Sequence, residues 1–211
     1  MADYKKPDYW QQKARKEGYP ARSVYKLKEI DEKFGLLKNP RPAFRVLDIG
    51  AAPGSWSLYV LRKMDAMGSG WKNRGFLAAA DLSPLSREFD KGLFDGGNFF
   101  FIQGDITAGE VRETILAKGP YSTIISDAAP NTTGSHTVDA ARSLELAETV
   151  IAYAENALTA GGNLALKVFQ GGESDALLKR MKTLFGTAKS FKPQACRGES
   201  VETYFIGLGK K

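Results

Sequence analysis

A chain of 211 residues, 43% of them hydrophobic and 26% charged, has room for one α/β domain with a continuous core and requires no second domain. Its single cysteine excludes an internal disulfide, and its single histidine excludes a metal site built from histidines. No apolar run approaches the length of a membrane-spanning helix. We expect a cytoplasmic protein that binds neither a metal ion nor a membrane.

Charge is distributed unevenly along the chain, whose formal net charge is +6. Residues 1–28 carry eight basic and three acidic side chains, residues 179–211 carry eight and two, and the residues between carry fourteen and nineteen. Clustered cations favour a polyanionic partner, because neutralising phosphates requires neighbouring positive charges. A solvated surface is the alternative for any single lysine, and a membrane is disfavoured because no basic amphipathic helix with an aromatic face is present.

Residues 1–20 are predicted to form a basic arm, and residues 21–211 a single domain. The arm interleaves cations with aromatic rings, a combination that suits an RNA backbone and unstacked bases. A disordered solubilising tail is the alternative. The cations in and just beyond the arm are Lys5, Lys6, Lys13, Arg15, Lys16, Arg22 and Lys28, and the aromatic residues are Tyr4, Tyr9, Trp10 and Tyr19.

Short apolar runs alternate with helical segments after the arm, which predicts a mostly parallel sheet covered by helices. Residues 21–34 form a predicted helix with Lys26 on its flank. The clearest helix has apolar residues at steps of three and four from Ala140 to Leu158, and Gly161-Gly162 is expected to end it. The candidate strands are Phe44–Ile49, Gly75–Ala80, Asn98–Gln103, Ser122–Ser126, Asn163–Phe169, Ala188–Phe191 and Thr203–Leu208.

The first predicted strand runs into a glycine-rich turn, Gly50-Ala51-Ala52-Pro53-Gly54, which opens a helix at Ser55. Small residues let a ligand approach the backbone, and a helix N-terminus offers free N–H groups, so the turn predicts a phosphate or nucleoside site. Dinucleotide binding is disfavoured because Ala52 and Ser55 replace the second and third glycines of G-x-G-x-x-G, and the P-loop pattern is also missing. A turn that merely connects strand to helix is the remaining alternative.

Aspartates close the next two predicted strands. Asp81 is placed to accept both hydroxyls of a bound ribose, and Asp105 to reach an adenine edge. Either residue alone could instead be a helix N-cap. Because ligands of open α/β sheets bind at the carboxyl ends of strands, the glycine turn and the two aspartates together favour a nucleoside site.

Further polar residues follow later strands. Asp127 closes the fourth, and Lys167 lies near the end of the fifth, inside an apolar run where a lysine is costly unless it is paired or neutral. If the last strand is antiparallel to the others, its start lies at the same edge and brings Glu202 beside Asp127 and Lys167. Glu199 is the nearest rival to Glu202, but it falls in the preceding loop.

Motifs spread over nearly the whole chain resemble those of a known family. They are Glu17-Gly18-Tyr19, Arg22–Leu27, Leu47–Ser57, Gln103-Gly104-Asp105, Ser126–Asn131, Leu166–Gly171 and Ser200–Tyr204. In this order they are similar to the motifs of the FtsJ/RrmJ family of S-adenosylmethionine-dependent ribose 2′-O-methyltransferases.

The resemblance implies a Rossmann-like methyltransferase fold with a seven-stranded sheet, an antiparallel last strand and helices on both faces. It implies that Lys26, Asp127, Lys167 and Glu202 form a catalytic tetrad in which Lys167 accepts the proton. It also implies that S-adenosylmethionine is held by the glycine turn of residues 50–54. Further cofactor contacts are implied for Trp56, Asp81, Asp105 and Asp127.

The expected substrate is ribosomal RNA, in a ribosomal particle or subunit, and the resemblance implies uridine of large-subunit RNA. Transfer RNA and messenger caps remain alternatives, as does a catalytically silent RNA-binding assembly factor. A nicotinamide-dependent oxidoreductase is disfavoured by the glycine turn. We expect the protein to be a monomer.

Overall fold

The structure is a computed structural model that describes residues 8–38, 43–68, 75–171, 174–198 and 200–211. Lys5, Lys6 and Tyr4 of the predicted arm, and the rival carboxylate Glu199, lie outside these ranges. The helices are α1 (Tyr9–Lys16), α2 (Val24–Phe34), α3 (Ser55–Ala66), a 3-10 turn (Leu93–Asp95), α4 (Gly109–Ala117), α5 (His136–Ala157) and α6 (Ser174–Leu184). The strands are β1 (Arg45–Ile49), β2 (Phe76–Asp81), β3 (Phe99–Gln103), β4 (Tyr121–Ser126), β5 (Leu158–Phe169), β6 (Phe185–Phe191) and β7 (Glu202–Lys210).

The seven strands form one sheet in the order β3-β2-β1-β4-β5-β7-β6. The pairs from β3 to β5 are parallel, whereas β7 is antiparallel to both β5 and β6. This arrangement confirms the predicted mostly parallel sheet with an antiparallel last strand. Its consequence is that the start of β7 lies beside the end of β5, where Glu202 pairs with Phe169 and Tyr204 with Lys167.

Helices cover both faces of the sheet, as predicted. On one face α1, α2 and α3 pack on alternate strand residues such as Val46 and Ile125. On the other face α4, α5 and α6 pack on residues such as Leu47 and Ile124. This alternation follows from the two-residue repeat of a β-strand, and it buries both faces of the central strands. No helix in the described ranges combines the length and the hydropathy that a membrane crossing requires.

The predicted end of the long helix is wrong. α5 ends at Ala157 because Leu158 is already extended and pairs with Tyr121 of β4, so Gly161 and Gly162 lie inside β5. The carbonyls in the last turn of the helix and at the first residue of β5 are bound instead by the ammonium of Lys210, which donates to Ala154, Glu155 and Leu158 at 2.7–2.9 Å. A cation at a helix C-terminus replaces the expected glycine cap.

The described part of the predicted arm, residues 8–20, is folded onto the domain. Asp8 caps α1 by accepting a hydrogen bond from the Gln11 amide at 2.9 Å. Ala14 is buried, and the Trp10 ring packs on Tyr25 with 4.9 Å between centroids. A disordered tail is therefore excluded for these residues.

The N-terminal end of α2 is attached to the first turn of α3. The Ser55 hydroxyl accepts from the Ala21 amide at 2.8 Å and donates to the Ala21 carbonyl at 3.1 Å. The Trp56 indole N–H donates to the Ser23 carbonyl at 2.8 Å. The helix begins at Val24 rather than at residue 21, and these bonds connect the segment before it to the helix that follows the glycine turn.

Candidate active site

The glycine turn and the strand-end aspartates meet at one edge of the sheet, because β1, β2, β3 and β4 are parallel. A cleft at this edge is lined by three of the predicted carboxylates, Asp81, Asp105 and Asp127, and by the small residues Gly50 and Ala52. The other lining residues are Ile49, Ala80, Leu82, Gly104, Ile106, Thr107, Ala128, Ala129 and Leu146. Carboxylates beside small residues suit a ligand with hydroxyl, amino and cationic groups.

Four residues predicted to bind the cofactor do not line this cleft. Ala51 is buried, and Gly54, next to Pro53, faces the Phe94 ring. The Trp56 side chain is buried with its indole directed at Ser23 and its ring 6.0 Å from that of Tyr204. Any contact between Trp56 and a ligand of the cleft is therefore made by backbone atoms at the start of α3.

Only glycine fits at position 50. Its φ is +76°, and a Cβ there would lie 2.5 Å from the Cα and Cβ of Ala128. The turn after β1 thus contacts the segment after β4 directly, which brings the cleft next to Asp127. A residue with a side chain would force these two segments apart.

Asp81 and Asp105 also shape the local backbone. Asp81 accepts hydrogen bonds from the amides of Ala52 at 2.9 Å and Ser83 at 2.8 Å. Asp105 accepts from the amide and the hydroxyl of Thr107 at 2.8 and 2.7 Å, and these bonds lower the pKa of Asp105. Both carboxylates are therefore turn-forming groups that still present oxygen atoms to the cleft.

Asp48, just before the glycine turn, has no role that its position in the sequence predicts. It is fully buried; one carboxylate oxygen accepts from the Ser57 hydroxyl at 2.7 Å, and the other has no hydrogen-bond partner among the described residues. Burial, opposed by the Ser57 hydrogen bond, raises the pKa of Asp48 to about 7.

The four residues of the predicted tetrad come together as two ion pairs. Lys26 Nζ lies 2.8 Å from Glu202 Oε2, and Lys167 Nζ lies 3.1 Å from Asp127 Oδ1. Lys167 also donates to the Asp127 carbonyl at 2.5 Å. The four side chains are only 10–15% exposed, so each charge depends on its partner.

Tyr204, which the sequence analysis did not single out, links the two ion pairs. Its hydroxyl donates to Asp127 Oδ1 at 2.5 Å, and its ring centroid lies 6.0 Å from Lys26 Nζ. Its position two residues after Glu202 was the available signal, because side chains at this spacing share one face of a strand.

The cluster favours the charged forms of two of its members. Burial acts to raise the pKa of Asp127, but Lys167, Lys26 and the Tyr204 hydroxyl outweigh it and lower that pKa. Burial acts to lower the pKa of Lys26, but Asp127 and Glu202 outweigh it and raise that pKa. Near neutral pH, Asp127 is therefore a carboxylate and Lys26 a cation.

Several predicted RNA-contacting residues are occupied within the protein. Tyr19 is buried, with Lys28 and Arg62 over its ring at 4.8 and 4.4 Å, so it has no free face for a base. Arg22 binds the Asp8 carboxylate and the Ala195 carbonyl. Packing within the protein therefore uses these cations and this ring, and their contact with RNA stays a prediction. Tyr9, Arg15 and Lys16 remain exposed on α1.

The chain is similar to proteins of one family over almost its whole length. A sequence profile of the FtsJ-like methyltransferases matches residues 19–210. A Treponema denticola protein named Ribosomal RNA large subunit methyltransferase E is 46% identical over 208 residues, which are 99% of this chain and 97% of the relative. An Oleidesulfovibrio alaskensis protein of the same name is 43% identical over 206 residues, 97% of this chain and 92% of the relative.

A solved structure supports the same relationship. A Plasmodium falciparum protein described as a ribosomal RNA methyltransferase matches with a TM-score of 0.70 and 26% identity, over 91% of this chain and 98% of that one. The likeness confirms the Rossmann-like methyltransferase architecture that the sequence motifs implied.

The buried Asp48 generates a testable pH dependence of stability. Its ordinary pKa of 3.8 is raised on folding, so the folded state keeps the proton that the unfolded state loses, and stability falls as pH rises towards 7. Asp48→Asn should remove this loss. We expect the free energy of unfolding of the variant to gain about 2–3 kcal/mol on the wild type between pH 5 and pH 7. Urea unfolding at both pH values measures it, and parallel pH profiles would contradict the assignment.

Proposed function

Since the chain belongs to the family of FtsJ-like methyltransferases, we propose that it transfers a methyl group from S-adenosylmethionine to a ribose 2′-hydroxyl of large-subunit ribosomal RNA. The observation that carries the proposal is the double ion pair of Lys26, Glu202, Lys167 and Asp127 beside the cleft. Asp127 belongs both to the cluster and to the cleft wall, so a methyl donor in the cleft and an acceptor at the cluster would be adjacent.

The cleft fits the donor. In this proposal Asp81 accepts from the ribose hydroxyls and Asp105 contacts the adenine edge, and the small residues Gly50 and Ala52 leave room for the ligand in the cleft. When bound, the cofactor supplies a methyl group activated by a positive sulfur. The protein's contributions are to align the acceptor oxygen with that methyl group and to remove its proton.

The cluster divides these tasks among its residues. Lys26 stays protonated and donates to the ribose hydroxyl or the adjacent phosphate, which orients the acceptor. Lys167 accepts the proton as a neutral amine, and Asp127 holds the resulting ammonium in place through the contact at 3.1 Å and the carbonyl bond at 2.5 Å. Glu202 holds the Lys26 ammonium through the hydrogen bond at 2.8 Å.

The names of the relatives support ribosomal RNA as the substrate, and the basic α1 surface supports an RNA partner. The test is methyl transfer from labelled S-adenosylmethionine to large ribosomal subunits that lack this modification, with transfer RNA, capped RNA and a short unstructured oligonucleotide as competing acceptors. We expect label in the subunits, recovered as 2′-O-methyluridine after digestion. Label in a base, or no transfer to any RNA, would refute the proposal, and preferred transfer to another acceptor would replace its substrate.

Cofactor binding should depend on Asp81. Asp81→Ala removes an acceptor for two ribose hydroxyls and also the hydrogen bond to the Ala52 amide, so affinity for S-adenosylmethionine should fall by about 1–3 kcal/mol. Titration calorimetry on the free protein measures this. Asp65→Ala on α3 is the control for loss of one carboxylate. Equal affinity of wild type and Asp81→Ala would remove Asp81 from the site.

Turnover should depend on the amine of Lys167. Lys167→Ala should lower the methyl-transfer rate by about 10²–10⁴ while cofactor affinity stays close to that of the wild type, because the residue is not in the glycine turn. Lys167→Arg should fail as well, since a guanidinium does not accept a proton near neutral pH. The single-turnover rate of methyl transfer measures both effects. A near-normal rate in Lys167→Arg would mean that position 167 needs only a positive charge.

RNA affinity should depend on the exposed face of α1. Deleting residues 1–16 would also remove the buried Ala14 and the Asp8–Arg22 ion pair, so point changes are cleaner. Arg15→Gln with Lys16→Gln should reduce the slope of log affinity against log salt by about 0.7–0.9 per lost phosphate contact. Lys179→Gln on α6, across the sheet, is the control. An unchanged slope in the α1 variant would show that this face does not contact RNA.

A further inference from the structure

Residues of α2 and of the turn before it bind the backbone of the connection between β6 and β7. The Glu29 carboxylate accepts from two consecutive amides: Oε2 from Gln194 at 2.7 Å and Oε1 from Ala195 at 2.8 Å. On the other side of the same peptide segment, the Arg22 guanidinium donates to the Ala195 carbonyl. Residues 194 and 195 are therefore fixed through three backbone groups.

The bound segment, residues 194 and 195, lies next to the ion pair of Lys26 and Glu202 in the tetrad. Cys196, the residue after the gripped pair, is buried with its thiol facing Glu202; burial, followed by the Glu202 carboxylate, raises the pKa of this thiol to about 12. Lys26 lies one helical turn before Glu29 on α2 and forms the ion pair with Glu202 at 2.8 Å. Lys26 thus shares α2 with Glu29, and Glu202 begins the strand that follows the connection bound by Glu29.

We propose that Glu29 is a positioning residue that joins the β6–β7 connection to α2 and so holds Glu202 opposite Lys26. The proposal rests on the proposed function, in which Lys26 orients the acceptor. Glu29 does not line the cleft, and its proposed role requires no contact with substrate or cofactor. It acts through the placement of Glu202.

The two hydrogen bonds to residues 194 and 195 require a carboxylate at position 29. Both amides point at Glu29, and each needs its own acceptor oxygen. Glutamine offers one oxygen and one amino group, so one of the two amides would face a donor. The resulting displacement need not be large, because a shift of roughly 1 Å in a catalytic group can lower a rate about 100-fold.

The first test is Glu29→Gln, with Glu32→Gln as matched control, since Glu32 is an exposed carboxylate on the same helix. We expect the maximal methyl-transfer rate of Glu29→Gln to fall by roughly 10–100-fold with little change in S-adenosylmethionine affinity or melting temperature. Glu32→Gln should behave as wild type. An unchanged rate in Glu29→Gln, or an equal loss in the control, would overturn the proposal.

A double-mutant cycle asks whether Glu29 acts through Glu202. In a Glu202→Gln enzyme, adding Glu29→Gln should lower the residual rate no further, because the group being positioned is already gone. Losses that simply add would mean that Glu29 acts elsewhere, and would overturn the assignment.

Amide hydrogen exchange tests the hydrogen bonds to Glu29 without measuring methyl transfer. The amides of Gln194 and Ala195 should exchange faster in Glu29→Gln than in wild type or Glu32→Gln. Unchanged exchange would refute the role of Glu29 in holding this segment, even if the enzyme is active. Conversely, a wild type that methylates no RNA would end the proposed function, while faster exchange would still support Glu29 as the anchor of this connection.

Discussion

The carboxylate of Asp127 is the group on which the rest of the site depends. It pairs with Lys167, accepts from Tyr204, stabilises the charge of Lys26 and forms part of the cleft wall. A charge with so little exposure persists only while its partners are in place. The parallel strands, the antiparallel β7 and the packing of α2 can therefore be understood as the framework that brings these partners to one carboxylate.

The sequence was sufficient to predict the parts of this framework that are local. Strand positions follow from apolar runs, and the sites of Asp81, Asp105 and Asp127 follow from the rule that parallel strands end at one edge. Glu202 was placed by one topological assumption, an antiparallel last strand, which the register of Phe169 with Glu202 confirms. The family motifs added roles that spacing alone could not supply.

The features that the sequence did not predict depend on contacts between residues that are distant in the chain. The end of α5 was misplaced because the cation that caps it, Lys210, belongs to the last strand. Arg22 and Lys28 were counted as RNA cations because composition does not reveal that Asp8, Ala195 and Glu17 already bind them. The roles of Tyr204 and Glu29 likewise become visible only when β7 and α2 are packed together.

The most direct test of this account is the protonation of Asp127, followed by carbon-13 NMR of its side-chain carboxyl group in the free protein. The account predicts a carboxylate with no titration between pH 4.5 and pH 8, because Lys167, Lys26 and Tyr204 hold its pKa below the ordinary value of 3.8. In Tyr204→Phe the pKa should move upwards, since one hydrogen bond to the charged form is lost. Titration of Asp127 near neutral pH in the wild type would contradict the account.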